Sequence, residues 1–186
     1  SRVAVPEAVG WSLGQAYVFP AARGTMSTLE GFIGNPTVES ASFVLWFRPS
    51  DLLGQEILWE LGGTGNGASM AIDGSSLLFT ASSNSAGTAR QLSFAGLSAE
   101  RYTMAVGVVD LAGSGGSTAD PDLYLYVNGM LADMALDVTG FLKWAGGNDG
   151  GIGAVGGAST GGNVLGWLNG FGNFSGGAGI VRADPS

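Results

Sequence analysis

Residues 42–49, Ser42-Phe43-Val44-Leu45-Trp46-Phe47-Arg48-Pro49, set five large apolar residues in a row and close them with an arginine and a proline. Strand side chains alternate between two faces, so Phe43, Leu45 and Phe47 share one face while Val44, Trp46 and Arg48 share the other. A strand with one solvated face shows a polar residue at every second place, and this stretch reaches one only at its end. It therefore predicts a central β-strand covered on both faces. Pro49 has no N–H to give to a ladder, and Ser50-Asp51 suit a turn.

Around this strand the chain reads as further short strands. Ala16-Tyr17-Val18-Phe19 precedes it, and Gln55 to Leu61 follows, with Ile57, Trp59 and Leu61 expected on one face. Ala68 to Asp73 and Leu77 to Ala81 flank Asp73-Gly74, a two-residue turn signal whose second residue tolerates positive φ. More strands are expected at Arg90 to Phe94, Tyr102 to Asp110, Leu123 to Val127 and Met130 to Leu136. The last two are joined by Asn128-Gly129, the strongest short hairpin signal. Turns every 8 to 12 residues and no helical period longer than one turn point to an all-β fold, an antiparallel β-sandwich. Gly146 to Gly179 is so glycine-rich that only loops and thin strands are expected there, without the three-residue period of collagen.

Composition agrees. Glycine contributes 34 of 186 residues and charged residues only 12%, which suits short strands and turns better than a helical bundle. A chain of this length fits one domain, and residues 1–186 are read as a single domain of a longer protein. The formal charge is −8, and the seven Lys and Arg are scattered singly, so nucleic acid is excluded as a partner. No apolar run approaches the ~20 residues of a spanning helix, and an acidic surface discourages contact with anionic membranes. Without cysteine or histidine the chain has no disulfide, no thiolate nucleophile, no Ser-His-Asp site and neither thiolate nor imidazole to hold a metal.

In order along the chain, Phe43 to Pro49, Ile57 to Gly63, Asn66-Gly67 to Asp73-Gly74 and Tyr124 to Gly129 resemble a laminin-G-like jelly roll of the concanavalin A-like lectin and glucanase superfamily. The tryptophan-containing strand before a proline matches Phe43 to Pro49, the family's hairpin matches Tyr126-Val127-Asn128-Gly129, and Ile152-Gly153 resembles its late strand. The resemblance runs from about Tyr17 to Arg182 and implies two antiparallel sheets with an extracellular binding role. Where the family opens a strand with a Trp-His pair, this chain has Arg101-Tyr102, so nothing that depends on that histidine carries over.

Two glycine motifs carry no function. Gly151-Ile152-Gly153-Ala154-Val155-Gly156 satisfies a dinucleotide fingerprint in letters, but no helix start follows and no acid stands between Asp149 and Asp184. Gly146 to Gly151 echoes one copy of a calcium β-helix repeat, and a single copy has no neighbour to stack on.

Glu56-Ile57-Leu58-Trp59-Glu60 is the segment closest to catalysis, because retaining glucanases of this superfamily carry Glu, Ile, Asp, a hydrophobe and Glu on a similar strand. Here Leu58 replaces the central acid. Residues i and i+4 of a strand lie about 13 Å apart, while a retaining pair needs carboxyls roughly 5 to 5.5 Å apart, so a solvated strand face is expected instead. For ligand binding the candidates are Trp144, with Lys143 and Asn148 beside it, since an indole face stacks on sugar C–H groups; Trp59 and Trp167 rank behind it. A calcium ion on a loop rim is the one cofactor considered, with Asp110, Asp120, Asp122 and Asp149 as ligands. The alternative, in which these acids cap turns through local hydrogen bonds, stays open. The functional expectation is a non-catalytic, extracellular binding module for a glycan or a cell-surface protein. A glucanase-like hydrolase using Glu56 and Glu60, or a structural spacer, are the alternatives.

Overall fold

The computed structural model describes residues 2–3, 16–19, 40–62, 67–82, 89–111, 121–138, 150–153 and 168–183. Its strands are β1 (Arg2–Val3), β2 (Ala16–Phe19), β3 (Ala41–Pro49), β4 (Gln55–Gly62), β5 (Gly67–Asp73), β6 (Ser76–Ser82) and β7 (Arg90–Ala95). After them come β8 (Thr103–Asp110), β9 (Asp122–Val127), β10 (Met130–Ala135), β11 (Gly150–Ile152), β12 (Gly172–Asn173) and β13 (Gly176–Ala183). They form two sheets, one ordered β1-β2-β13-β3-β8-β9-β10 and the other β11-β4-β5-β6-β7 with β12 also paired to β4. Every pairing is antiparallel except that of β12 with β4. No described helix is long and apolar enough to cross a membrane.

The core lies between the sheets. Ala41, Phe43, Leu45 and Phe47 of β3 face it and are almost wholly buried, as are Trp59 of β4, Met70 of β5 and Phe79 of β6. The Trp59 indole stacks on Phe43 at 4.5 Å between centroids, and Phe174 meets Phe47 edge-on at 6.4 Å. Trp59 is therefore a core residue, and its expected second rank as a ligand contact gives way to packing. Each of these large side chains contributes roughly 1.5–3 kcal/mol by leaving water.

β3 is central, between β13 and β8, as its apolar run predicts. Double coverage does not follow: on its other face Ser42, Val44 and Trp46 are half-buried and Arg48 is exposed. On that face Ser42, Val44 and Trp46 pair with Val108, Val106 and Met104 of β8.

Two turns set the registers. Asn128 (φ 51°) and Gly129 (φ 82°) join β9 to β10 as a type I′ turn, the form that Asn-Gly favours. Asn128 is locked further, since its N–H donates to Met104 O at 2.8 Å and its Oδ1 accepts from Met104 N at 3.0 Å. Between β5 and β6 the turn lies one residue beyond the expected pair: Asp73 pairs with Ser76, so Gly74-Ser75 make the corner. Positive φ falls on Gly74 alone (55°), which is type II′. At the sheet edges, Asp133 accepts from Ser93 N of β7 at 2.9 Å, placing a carboxylate on an otherwise open ladder donor.

Candidate functional site

Three carboxylate and aromatic groupings merit weighing, and β4 holds the first. Ile57 pairs with Ala71 and Trp59 with Met70, so Leu58 is an extra residue, a β-bulge. The bulge resets the alternation: Leu58 and Trp59 both enter the main core, while Ile57 joins Ala71 and Leu168 on the opposite face. Directly paired residues of antiparallel strands share a face. Glu56 pairs with Ile72, a core residue, and so lies on the inner side at the rim; Glu60 pairs with Ser69 and lies on the outer side. The expectation that Ile57, Trp59 and Leu61 share a face fails for Ile57 for this reason. The same parity change separates the two glutamates, which do not flank a common cleft as a glycosidase pair must.

Their surroundings differ as well. Glu56 accepts a bond from Ser175 N at 3.3 Å, and partial burial raises its carboxyl above the usual value, with nearby Asp51 adding to the rise and the Ser175 bond opposing it. Glu60 is only 2% exposed and occupies a row with Ser69 and Thr80, both also buried.

The second grouping lies at one end of the seven-stranded sheet. Asp110 and Asp122 are direct partners across β8 and β9, a like-charge pair. Asp122 is fully buried. Its Oδ2 accepts from the Tyr124 hydroxyl and its Oδ1 from Asp137 N, both at 2.9 Å. The hydrogen bond to Asp122 is also the main reason that the Tyr124 phenol is shifted to a higher pKa. Asp110 accepts from the Ser40 hydroxyl at 3.3 Å, and that hydroxyl accepts from Leu111 N at 2.9 Å. Thus two of the four acids expected around calcium are brought together, each hydrogen-bonded to neighbouring chain. Asp120 and Asp149 lie outside the described residues. Calcium takes six to eight oxygens, and among the described residues no group of three or more acids converges, so these two carboxylates alone do not make its site. Trp144, Lys143, Asn148 and Trp167 also lie outside the described residues.

The third grouping was not anticipated and is the most extensive. The outer face of the seven-stranded sheet is apolar where a solvated sheet face is ordinarily polar. Its central transverse row runs Leu131, Tyr126, Val106, Val44, from β10 across β9 and β8 to β3. On one side lies the row Met134, Tyr124, Val108, Ser42; on the other lie Met104 and Trp46. Leu131 and Met134 are each 49% exposed and the rest are half-buried. The Tyr124 and Tyr126 rings lie 6.3 Å apart. Beyond Trp46, the exposed Arg48 guanidinium lies 5.6 Å from the centre of the Tyr102 ring. Glycine at 177 gives that ring room: a β-carbon there would come 2.9 Å from the Tyr102 hydroxyl. The face thus carries an apolar middle between a carboxylate end at Asp110 and Asp122 and a cationic end at Arg48. The signal was present in the sequence, since the outward set of β3, β8 and β9 holds Val44, Trp46, Met104, Val106, Val108, Tyr124 and Tyr126 where a solvated face would alternate to polar residues.

No protein-family model matches the sequence, and no curated protein sequence matches it. Solved structures do. The CBM40 of the Ruminococcus gnavus IT-sialidase is similar over 92% of this chain and 91% of its own, with 13% identity and a TM-score of 0.60. The same CBM40 bound to alpha2,3 sialyllactose gives a TM-score of 0.55 at 13% identity, covering 81% and 79%. Domains LG4-5 of the mouse laminin alpha1 chain match 78% of this chain at 12% identity and a TM-score of 0.57. The chain spans about a third of the laminin and botulinum neurotoxin chains that it matches. Its fold is that of a laminin-G-like, concanavalin A-like jelly roll.

Proposed function

We propose that this chain is a non-catalytic, extracellular binding module for a carbohydrate or a surface protein. The observation that carries this reading is the apolar outer face of the seven-stranded sheet. A sheet surface with valines, methionines and aromatic rings in three adjoining rows is a contact surface in a soluble domain. The bulge at Leu58 supports the non-catalytic part, because it places Glu56 and Glu60 on opposite faces of their sheet. Fold likeness to a carbohydrate-binding module of nearly the same length, solved with sialyllactose, supports a glycan ligand. Likeness to laminin domains supports an extracellular setting.

A glycan array probed with calcium and again with chelator, beside a reducing-sugar assay on β-glucans, xylans and agars, tests the proposal. Saturable retention without sugar release is expected. Sustained turnover abolished by Glu56→Gln would overturn the non-catalytic reading, and an array blank in both conditions would remove carbohydrate and leave a protein partner.

A further inference from the structure

The outer face of the seven-stranded sheet has a property that a one-sided ligand platform does not need: it is complementary to itself. Successive rows lie two residues apart, about 6.8 Å. Asp110, paired with the fully buried Asp122, and Arg48 therefore stand at equal distances, two rows each, on either side of the central row. A two-fold axis lying in the plane of contact and crossing the strands along that central row exchanges the ends. It sets the Arg48 end of one copy over the Asp110 end of the other, twice, and stacks the apolar middle on itself.

We propose that this face pairs with the same face of a second copy of the chain. The inference rests on reading the face as a contact surface. The occupant is argued from the charge pattern and from chemistry: beyond Ser42, two tyrosine hydroxyls and the Trp46 indole N–H, the three middle rows present hydrocarbon and ring faces, which suits a largely dry protein contact. Aligned sheets pack face to face at about 30°, within reach of a long arginine side chain. Two rows are four strands wide and the outer rows narrower, so at about 4.8 Å by 6.8 Å per position the patch is on the order of 400 Å² per copy, about 800 Å² for the pair. That is the size of a weak, transient contact, so the dimer is expected to exchange rapidly with monomer.

Sedimentation equilibrium of the purified chain from about 1 to 200 μM is the test, with a concentration-dependent monomer–dimer equilibrium expected. Leu131 sits in the central row, meets its own copy across the axis and is half exposed in the monomer. Leu131→Asp should therefore weaken dimerisation about 100-fold while leaving the melting curve nearly unchanged. Should that variant melt early, Met134→Asp, equally exposed one row away, replaces it. Arg48→Glu and Asp110→Arg should each weaken the dimer about fivefold, and the double exchange should restore it to within about twofold. A monomer throughout the range, a dimer indifferent to the Leu131 and Met134 variants, or a double exchange no better than the singles overturns self-pairing. If the chain is monomeric but its binding on the glycan array is lost in Leu131→Asp, the contact-surface reading survives and self-pairing falls. If array binding is also unmoved, both fall.

Discussion

The Phe79 ring of β6 occupies the space that a β-carbon on Gly107 of β8 would need, with Cε2 at 2.6 Å and Cδ2 at 2.7 Å from that position. Gly107 pairs with Phe43 on one side and Leu125 on the other, so the missing side chain leaves a notch in the inner face of the seven-stranded sheet. The opposite sheet fills it with an aromatic ring. Interiors are packed at crystal-like density, and one added carbon there has nowhere to go.

Gly107→Ala should therefore destabilise the domain by about 1–3 kcal/mol, lowering the melting temperature by roughly 3–10 °C. Combining it with Phe79→Leu should recover part of that loss, because the smaller side chain vacates the notch. Independent, additive losses measured by thermal melting would show that the two sites are not in contact.

At the β9–β10 turn, Gly129→Val should cost about 1–3 kcal/mol, since a β-branched residue at φ 82° is strained even though the space around it is open. Gly129→Asn, which tolerates this region, should cost distinctly less. Equal midpoints for the two variants in urea unfolding would contradict the type I′ turn.

Glu56 supplies a pH-dependent prediction. Its folded carboxyl holds its proton to a pH above the ordinary value for a glutamate, chiefly because burial disfavours the charge. The associated stability is present below that value and is lost as pH rises through the raised one. Glu56→Gln should thus raise the melting temperature by about 1–2 °C at pH 7, a small gain because the group is partly exposed, and leave it unchanged near pH 4. A lower melting temperature at pH 7 would show that the Ser175 contact outweighs burial.

Tyr124→Phe removes the hydroxyl that donates to the fully buried Asp122 carboxylate and should destabilise by about 1–3 kcal/mol. Because this phenol is raised above 10.0 in the folded state, its contribution is complete below pH 10 and fades as pH rises through the raised value. The difference between wild type and variant, followed by chemical unfolding, should accordingly shrink only in the strongly alkaline range.

Much of this fold is written in local signals. Asn128-Gly129 specified its hairpin to the residue, because two adjacent left-handed positions admit few other pairs. At Asp73-Gly74 the signal was right about which residue takes positive φ and wrong by one about the corner. Ser76 completes a pair with Asp73 that the composition of the turn does not reveal. Strand β13 was not legible: Gly176-Gly177-Ala178-Gly179 carries no alternating pattern, and its place between β2 and β3 is fixed by long-range pairing. The glutamates of β4 show the hardest limit. Ile57 to Leu61 is apolar except for its acid, so an extra residue at Leu58 leaves no break in the pattern, and only the register with β5 exposes it. Asp110 and Asp122 stand out in the sequence only as candidate calcium ligands and not as one end of a sheet face, and the apolar outward set of β3 reads as buried because sheet neighbours and a covering layer leave the same composition behind.

The extra residue in β4 also bears on how such chains are compared with one another. A bulge is a one-residue insertion, so a gapless alignment of Gln55–Gly62 with an unbulged strand swaps inside for outside at every position on one side of Leu58. Carboxylates matched by letter in that alignment would point to opposite sides of the molecule. Deleting Leu58 would not reunite them: it would remove the bulge yet leave Glu56 and Glu60 three residues apart, and residues an odd number apart on a regular strand face opposite ways, so only a shift of register against β5 that keeps all five residues could bring both acids to one side.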